Sequence, residues 1–290
     1  GHGGHRPLFL SHEIAASAWF PASGGPASST FTGIASNGAD TVAVGVLNSD
    51  ATQGRCARST DGGITYATET IPTPSNGIVW DSAHGVFIAL GSIGTTPKCS
   101  TSPTGDVTWT DRSTFFPTGG YNALATDGAG LVVAVGQNVC ATSTDGGVSW
   151  TARTIPSGTY RGVAWTGVGF VAVGGVAGTS VCATSTANGQ TWTARTLPSG
   201  TFFGVAHDRG LRTATVGLSG VAATSLDGGV TWVSRSTGSG SYLALAWTGA
   251  IWDAIETGES ITSLDGGAWT VRAPALVAAV GVSLAVAGRR

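Results

Sequence analysis

Apolar residues along this chain come in short bursts broken by polar and small residues. Residues 160–198 show the rhythm in four consecutive pieces: YRGVAWTG, GFVAVGG, VCATSTANG and QTWTARTLP. Each piece is rich in Val, Ala, Thr or aromatic residues and is bounded by Gly, Asn or Pro. That is the make-up of strands joined by tight turns. No stretch of ten residues places its apolar positions at helical spacing between capping residues. The pattern predicts an all-β chain.

The four-piece unit recurs. Aligned on the aromatic that opens its last piece, the chain places Tyr66, Trp109, Trp150, Trp192, Trp232 and Trp269 at steps of 43, 41, 42, 40 and 37 residues. A period near forty with four strands is the signature of a β-propeller blade. Six blades are predicted at 30–72, 75–117, 120–156, 160–198, 202–238 and 242–274. The remainder at 276–288 reads as the first two strands of a blade, and the remainder at 8–25 as the last two. Neither half can bury both faces alone. Paired, they would make a seventh blade and remove the open edges of the ring. The expected fold is therefore a seven-bladed β-propeller of four-stranded antiparallel blades. It forms a single domain over 8–290, behind an N-terminal arm at 1–7, with the last blade shared by the termini. A six-bladed ring with loose ends is the alternative.

The turn between the third and fourth strands is the most constant feature. It reads Ser-x-Asp-Gly-Gly-x-Ser/Thr-Trp at 143–150 and 225–232, with Tyr66 closing the copy at 59–66 and one residue fewer at 263–269. Degenerate copies at 102–109 and 185–192 carry Thr104 and Ala187 at the Asp position. The pattern resembles the Asp-box, or BNR, repeat of Asp-box propellers. An Asp side chain can accept bonds from backbone amides further along the turn, and the Gly pair supplies positive φ. The Trp covers the turn. The resemblance implies that Asp61, Asp145, Asp227 and Asp265, with Trp109, Trp150, Trp192, Trp232 and Trp269, build the scaffold. It also implies that this hairpin lies away from the ligand face.

Two other repeats fit the scaffold. Cys56, Cys99, Cys140 and Cys182 occupy one place on the third strand of successive blades, with Ala222 in the fifth. Such positions are expected to lie beyond the ~7 Å Cα separation that a disulfide allows, so the thiols read as small apolar filler. Arg112, Arg153, Arg195, Arg235 and Arg272 stand three residues past each Trp, where charge on an outer edge strand discourages strand addition.

Composition narrows the function. The chain of 290 residues is 10% charged with a formal charge of −2 and has no basic block, which gives nucleic acid little to bind. The most apolar run, 14 residues at 275–288, is short of the roughly 20 that a membrane-spanning helix needs. No metal site and no cofactor are implied, and the His residues of the first dozen positions read as part of the arm.

Variable loops on a rigid scaffold are where binding resides. One candidate is the connection in blade one, with Asn48, Asp50, Gln53 and Arg55. The other lies where the first strands begin. An aromatic series, Phe31, Tyr121, Tyr160, Phe202 and Tyr242, is followed by Thr32, Asn122, Arg161, Phe203 and Leu243, with Asn76 at the same place in blade two. Asn122, Tyr160, Arg161 and Phe203 are the binding residues expected there. Asp-box families include sialidases and other glycosidases, and sialidases need an Arg triad, a Tyr–Glu nucleophile pair and an acid Asp; no Arg here stands in their Phe/Tyr-Arg-Ile-Pro pattern, and Glu is scarce. Asp253, Glu256 and Glu259 form one acidic cluster in blade six that could pair carboxylates for glycoside hydrolysis. The expectation is a non-enzymatic binding or structural propeller without cofactor. It resembles the repeats of bacteriophage virion proteins and bacterial surface proteins, located in a virion or extracellularly. The expected partners are other protein subunits or a surface glycan. A secreted carbohydrate-binding protein or a glycosidase is the alternative.

Overall fold

The computed structural model describes residues 29–272 apart from 63–64, 107 and 257–258. These fold into six four-stranded antiparallel sheets, each a simple meander in chain order. The inner strands are Ser29–Ser36, Gly77–Asp81, Tyr121–Thr126, Tyr160–Trp165, Phe202–His207 and Ala244–Trp247. One sheet corresponds to each of the six repeats, spanning 29–71, 77–111, 121–153, 160–195, 202–236 and 244–272. The expected count of seven is corrected to six for the described residues. The segments expected to supply a seventh blade, 8–25 and 276–288, and the arm at 1–7 lie outside them. No helix among the described residues is long and apolar enough to cross a membrane.

Blades stick together through alternation. Along each strand, successive side chains face opposite neighbours, so each blade offers one apolar face to the blade before and one to the blade after. Among the described residues, five cores join blade one to two, two to three, three to four, four to five and five to six. Val133, Val135 and Cys140 of blade three, for example, meet Tyr160, Phe170, Ala172 and Trp192 of blade four. The four Cys are free and buried and sit in these cores. Burial pushes Cys99 and Cys140 up to about 12.

The repeated hairpin is held as its residues predict. Asp145 accepts from the Ser149 amide (3.0 Å) and from the Ser143 hydroxyl (2.9 Å), and the Gly147 amide donates back to Ser143 (2.9 Å). Trp150, Trp192 and Trp232 repeat one contact, each donating its indole N–H to a Gly carbonyl, at 3.2, 3.0 and 2.9 Å. The degenerate copies are repaired two residues along or one: Asp106 accepts from the Thr108 amide and Asn188 from the Gln190 amide. The recurrent Arg does more than mark an edge. Arg112, Arg153, Arg195, Arg235 and Arg272 each donate Nε to a Thr hydroxyl on the adjoining third strand.

Candidate functional site: the central channel

The six inner strands surround a cavity of about 1040 Å³. They approach one another closely because the residue after Thr32, Asn76, Arg161 and Phe203 is Gly. A Cβ on Gly33 would lie 2.8 Å from Gly77 Cα, and one on Gly204 would lie 2.7 Å from the Leu245 amide nitrogen. Inner strands begin at one mouth, here the upper, and end at the lower. A meander therefore places the repeated hairpins at the lower end with the turns that follow the inner strands. Arg212 in such a turn donates to the carbonyl of Asp265 in the next blade's hairpin (2.7 Å).

At the upper mouth, three side chains staple the ring. Thr32 donates to the Ser75 carbonyl (2.7 Å), Asn76 to that of Tyr121 (3.3 Å) and Asn122 to that of Tyr160 (2.8 Å). Each crosses to the neighbouring blade at the same register. Blade four breaks the series. Arg161 lays its guanidinium 4.6 Å from the ring centroid of Phe203 and donates Nε to the Gly175 carbonyl (3.2 Å).

The structure thus gathers Asn122, Arg161 and Phe203, three of the residues expected to bind, on the channel wall. Tyr160 stands elsewhere. It is 1% exposed and its hydroxyl donates to the Pro156 carbonyl, so its ring has no free face for a ligand. Tyr121, Phe202 and Tyr242 are likewise buried. The blade-one residues do not join the channel. There the expected long loop is two extended strands, Thr41–Leu47 and Asp50–Ser59. Asn48 accepts from Thr30, Asp50 from the Thr52 amide and hydroxyl, and Arg55 donates to Thr70. The Thr52 hydroxyl and amide hold the exposed Asp50 carboxyl below its ordinary value.

The lower mouth carries what the sequence reading missed. Near their lower ends the inner strands carry Ser36, Trp80, Thr126, Trp165, His207 and Trp247, all lining the cavity. Tryptophan alternates with a smaller polar residue around the ring. Each indole packs on the aromatic directly across the hairpin: Trp80 on Phe87, Trp165 on Phe170 and Trp247 on Trp252. The signal was present as a Trp at or next to the end of the first strand of every second blade. It was indistinguishable from another core position while the channel axis was unknown.

Carboxylates are scarce here. Among the described residues lining the cavity, Asp127 is the one acid, and it caps its own turn by accepting from the amides of Ala129 and Leu131. The acidic cluster of blade six does not assemble in the channel. Asp253 and Glu256 lie three apart on one strand, hence on opposite faces, and Glu256 accepts from the Ser241 amide.

No family model matches the chain, and no curated protein matches it. Solved structures do. The GH74 enzyme of Niastella koreensis superposes with a TM-score of 0.64 at 17% identity over 84% of this chain, which spans 46% of that protein. YCF48 from Cyanidioschyzon merolae gives 0.63 at 15% identity, over 86% of both chains. YCF48 bound to D1 peptide gives 0.62 at 19%, over 85% of this chain and 83% of that one. Both neighbours are β-propellers of four-stranded blades, so the likeness bears on the fold. Kinship with Asp-box or phage proteins rests on the repeat motif alone.

Proposed function

We propose that this chain is a binding propeller that holds its ligand at the channel and does not hydrolyse it. The observation that carries the reading is the chemistry of the cavity wall. Glycoside hydrolysis needs two carboxyl groups about 5–10 Å apart across the scissile bond. The one acid among the described lining residues, Asp127, is spent on a turn. Arg161 over Phe203 presents a cation on an aromatic surface at the upper mouth, a pairing enriched at protein interfaces. One neighbour of this fold is bound to a peptide and another is a GH74 enzyme. The wall favours the first mode of use. A virion or extracellular component contacting other subunits remains the finer form of this proposal, supported by the resemblance of the repeats. The test is reducing-end release from a panel of polysaccharides. No release above buffer is expected. Release that disappears in Asp127→Asn or Glu256→Gln would overturn the reading.

A further inference from the structure

We infer that the lower mouth is a carbohydrate-binding site whose stacking platforms are Trp80, Trp165 and Trp247. The three indoles occupy equivalent places on alternate blades and repeat one geometry. Their centroids lie 4.7, 4.9 and 5.1 Å from the supporting ring, at interplanar angles of 56°, 57° and 52°. One side of each is fixed by that ring, while part of the surface stays open to the cavity. A ring held in one orientation before the ligand arrives loses little freedom on binding.

The residues between the platforms decide what they stack on. Ser36, Thr126 and His207 alternate with the indoles, and Arg209 lies just beyond His207 on the same wall. Ser36 donates to the Asp40 carbonyl, Thr126 accepts from the Gly128 amide and His207 Nδ1 meets the Thr213 hydroxyl. An apolar peptide would dry the rest of their hydrogen-bonding capacity, the His207 Nε2 edge and the Arg209 guanidinium, without satisfying it, which is costly. A cation caged by aromatic rings would meet Arg209 with no free carboxylate among the described lining residues to offset it. A sugar satisfies both halves of the collar. Its C–H face lies on an indole, and its hydroxyls reach the hydroxyl, imidazole and guanidinium groups. Platforms repeated at every second blade suit a ligand that itself repeats, an oligosaccharide with neutral or acidic units.

This site is separate from Arg161 and rests on the proposed function only in treating the chain as a binder. The experiment is calorimetric titration of the full chain with cellohexaose, chitohexaose and an oligogalacturonate, with tetramethylammonium and an apolar peptide alongside. At least one sugar is expected to bind saturably. Trp165→Ala and Trp247→Ala should weaken it tenfold or more, Trp165→Phe by less than threefold, and the exposed Leu226→Ser not at all. Thermal melts confirm that each variant is folded, and Trp165→Phe covers the case in which the Ala variant is not. The inference fails if no sugar binds at about 10 mM, ten times a millimolar Kd, if the Trp variants bind like the wild type, or if only the cation or the peptide binds. Reducing ends released from a bound sugar would instead sink the non-hydrolytic reading and leave this site standing.

Discussion

Asp253 should cost this protein stability at neutral pH. On the second strand, the face turned to the following blade is apolar and fully buried in the other blades, with Val42, Ile88, Val133, Val171 and Ala214 at the equivalent register. Blade six has Asp253 there, and its Oδ1 is buried without a hydrogen-bond partner among the described residues. Burial pushes its carboxyl up from 3.8 to about 6, and the positive charge of Arg272 offsets only part of that. A carboxyl raised by folding holds its proton in the native state where the unfolded chain has released it. Its contribution is therefore complete below pH ~4 and is lost as pH rises to about 6. Two pH units at about 1.4 kcal/mol each give an upper bound of about 3 kcal/mol. Asp253→Asn keeps the shape and removes the ionisation. Urea denaturation at pH 4, 5, 6 and 7.5 should show variant and wild type nearly equal at pH 4. The variant should gain as pH rises, by about 2–3 kcal/mol at pH 7.5. A gap that does not change with pH, or a variant less stable at pH 7.5, would refute the reasoning.

Other outcomes follow from the same structure. Gly204→Ala should destabilise by about 1–3 kcal/mol, read from the urea midpoint, because its methyl would press on the backbone of the next inner strand; an unchanged midpoint would mean that the strands can separate freely. At Asp227, burial opposes ionisation, but the Thr231 hydroxyl and amide and the Ser225 hydroxyl outweigh it and hold the carboxyl at about 2. Asp227→Asn should therefore lower the melting temperature at pH 7, and the difference should shrink as pH falls from ~4 toward ~2. The four thiols, buried and raised by that burial, should resist a thiol-specific chromogenic reagent in the native protein and react in full in urea.

Much of the fold was legible because its determinants are local. The hairpin needs an Asp, two Gly and a Trp within eight residues, and those bonds form whatever surrounds them, so Asp145 and Asp227 could be placed from the text alone. The blade period and the alternation of Val with small residues follow from strand geometry. The site was less legible. Asn122 and Arg161 stand on the channel wall, yet Asn122 spends its amide on the next blade and Tyr160 turns into the core. Strand periodicity says which residues share a face. It does not say whether that face meets a neighbouring blade or the open axis.

The sequence by itself determined the repeat, the strand order and the chemistry of each turn, since these depend on contacts within some forty residues. Only the tertiary structure decided that Trp80, Trp165 and Trp247, far apart in the chain, end at one mouth of one channel. It also decided that Asp253 sits where every other blade is apolar. Both depend on curling six sheets around a common axis, a property of how whole blades pack rather than of any single stretch of chain.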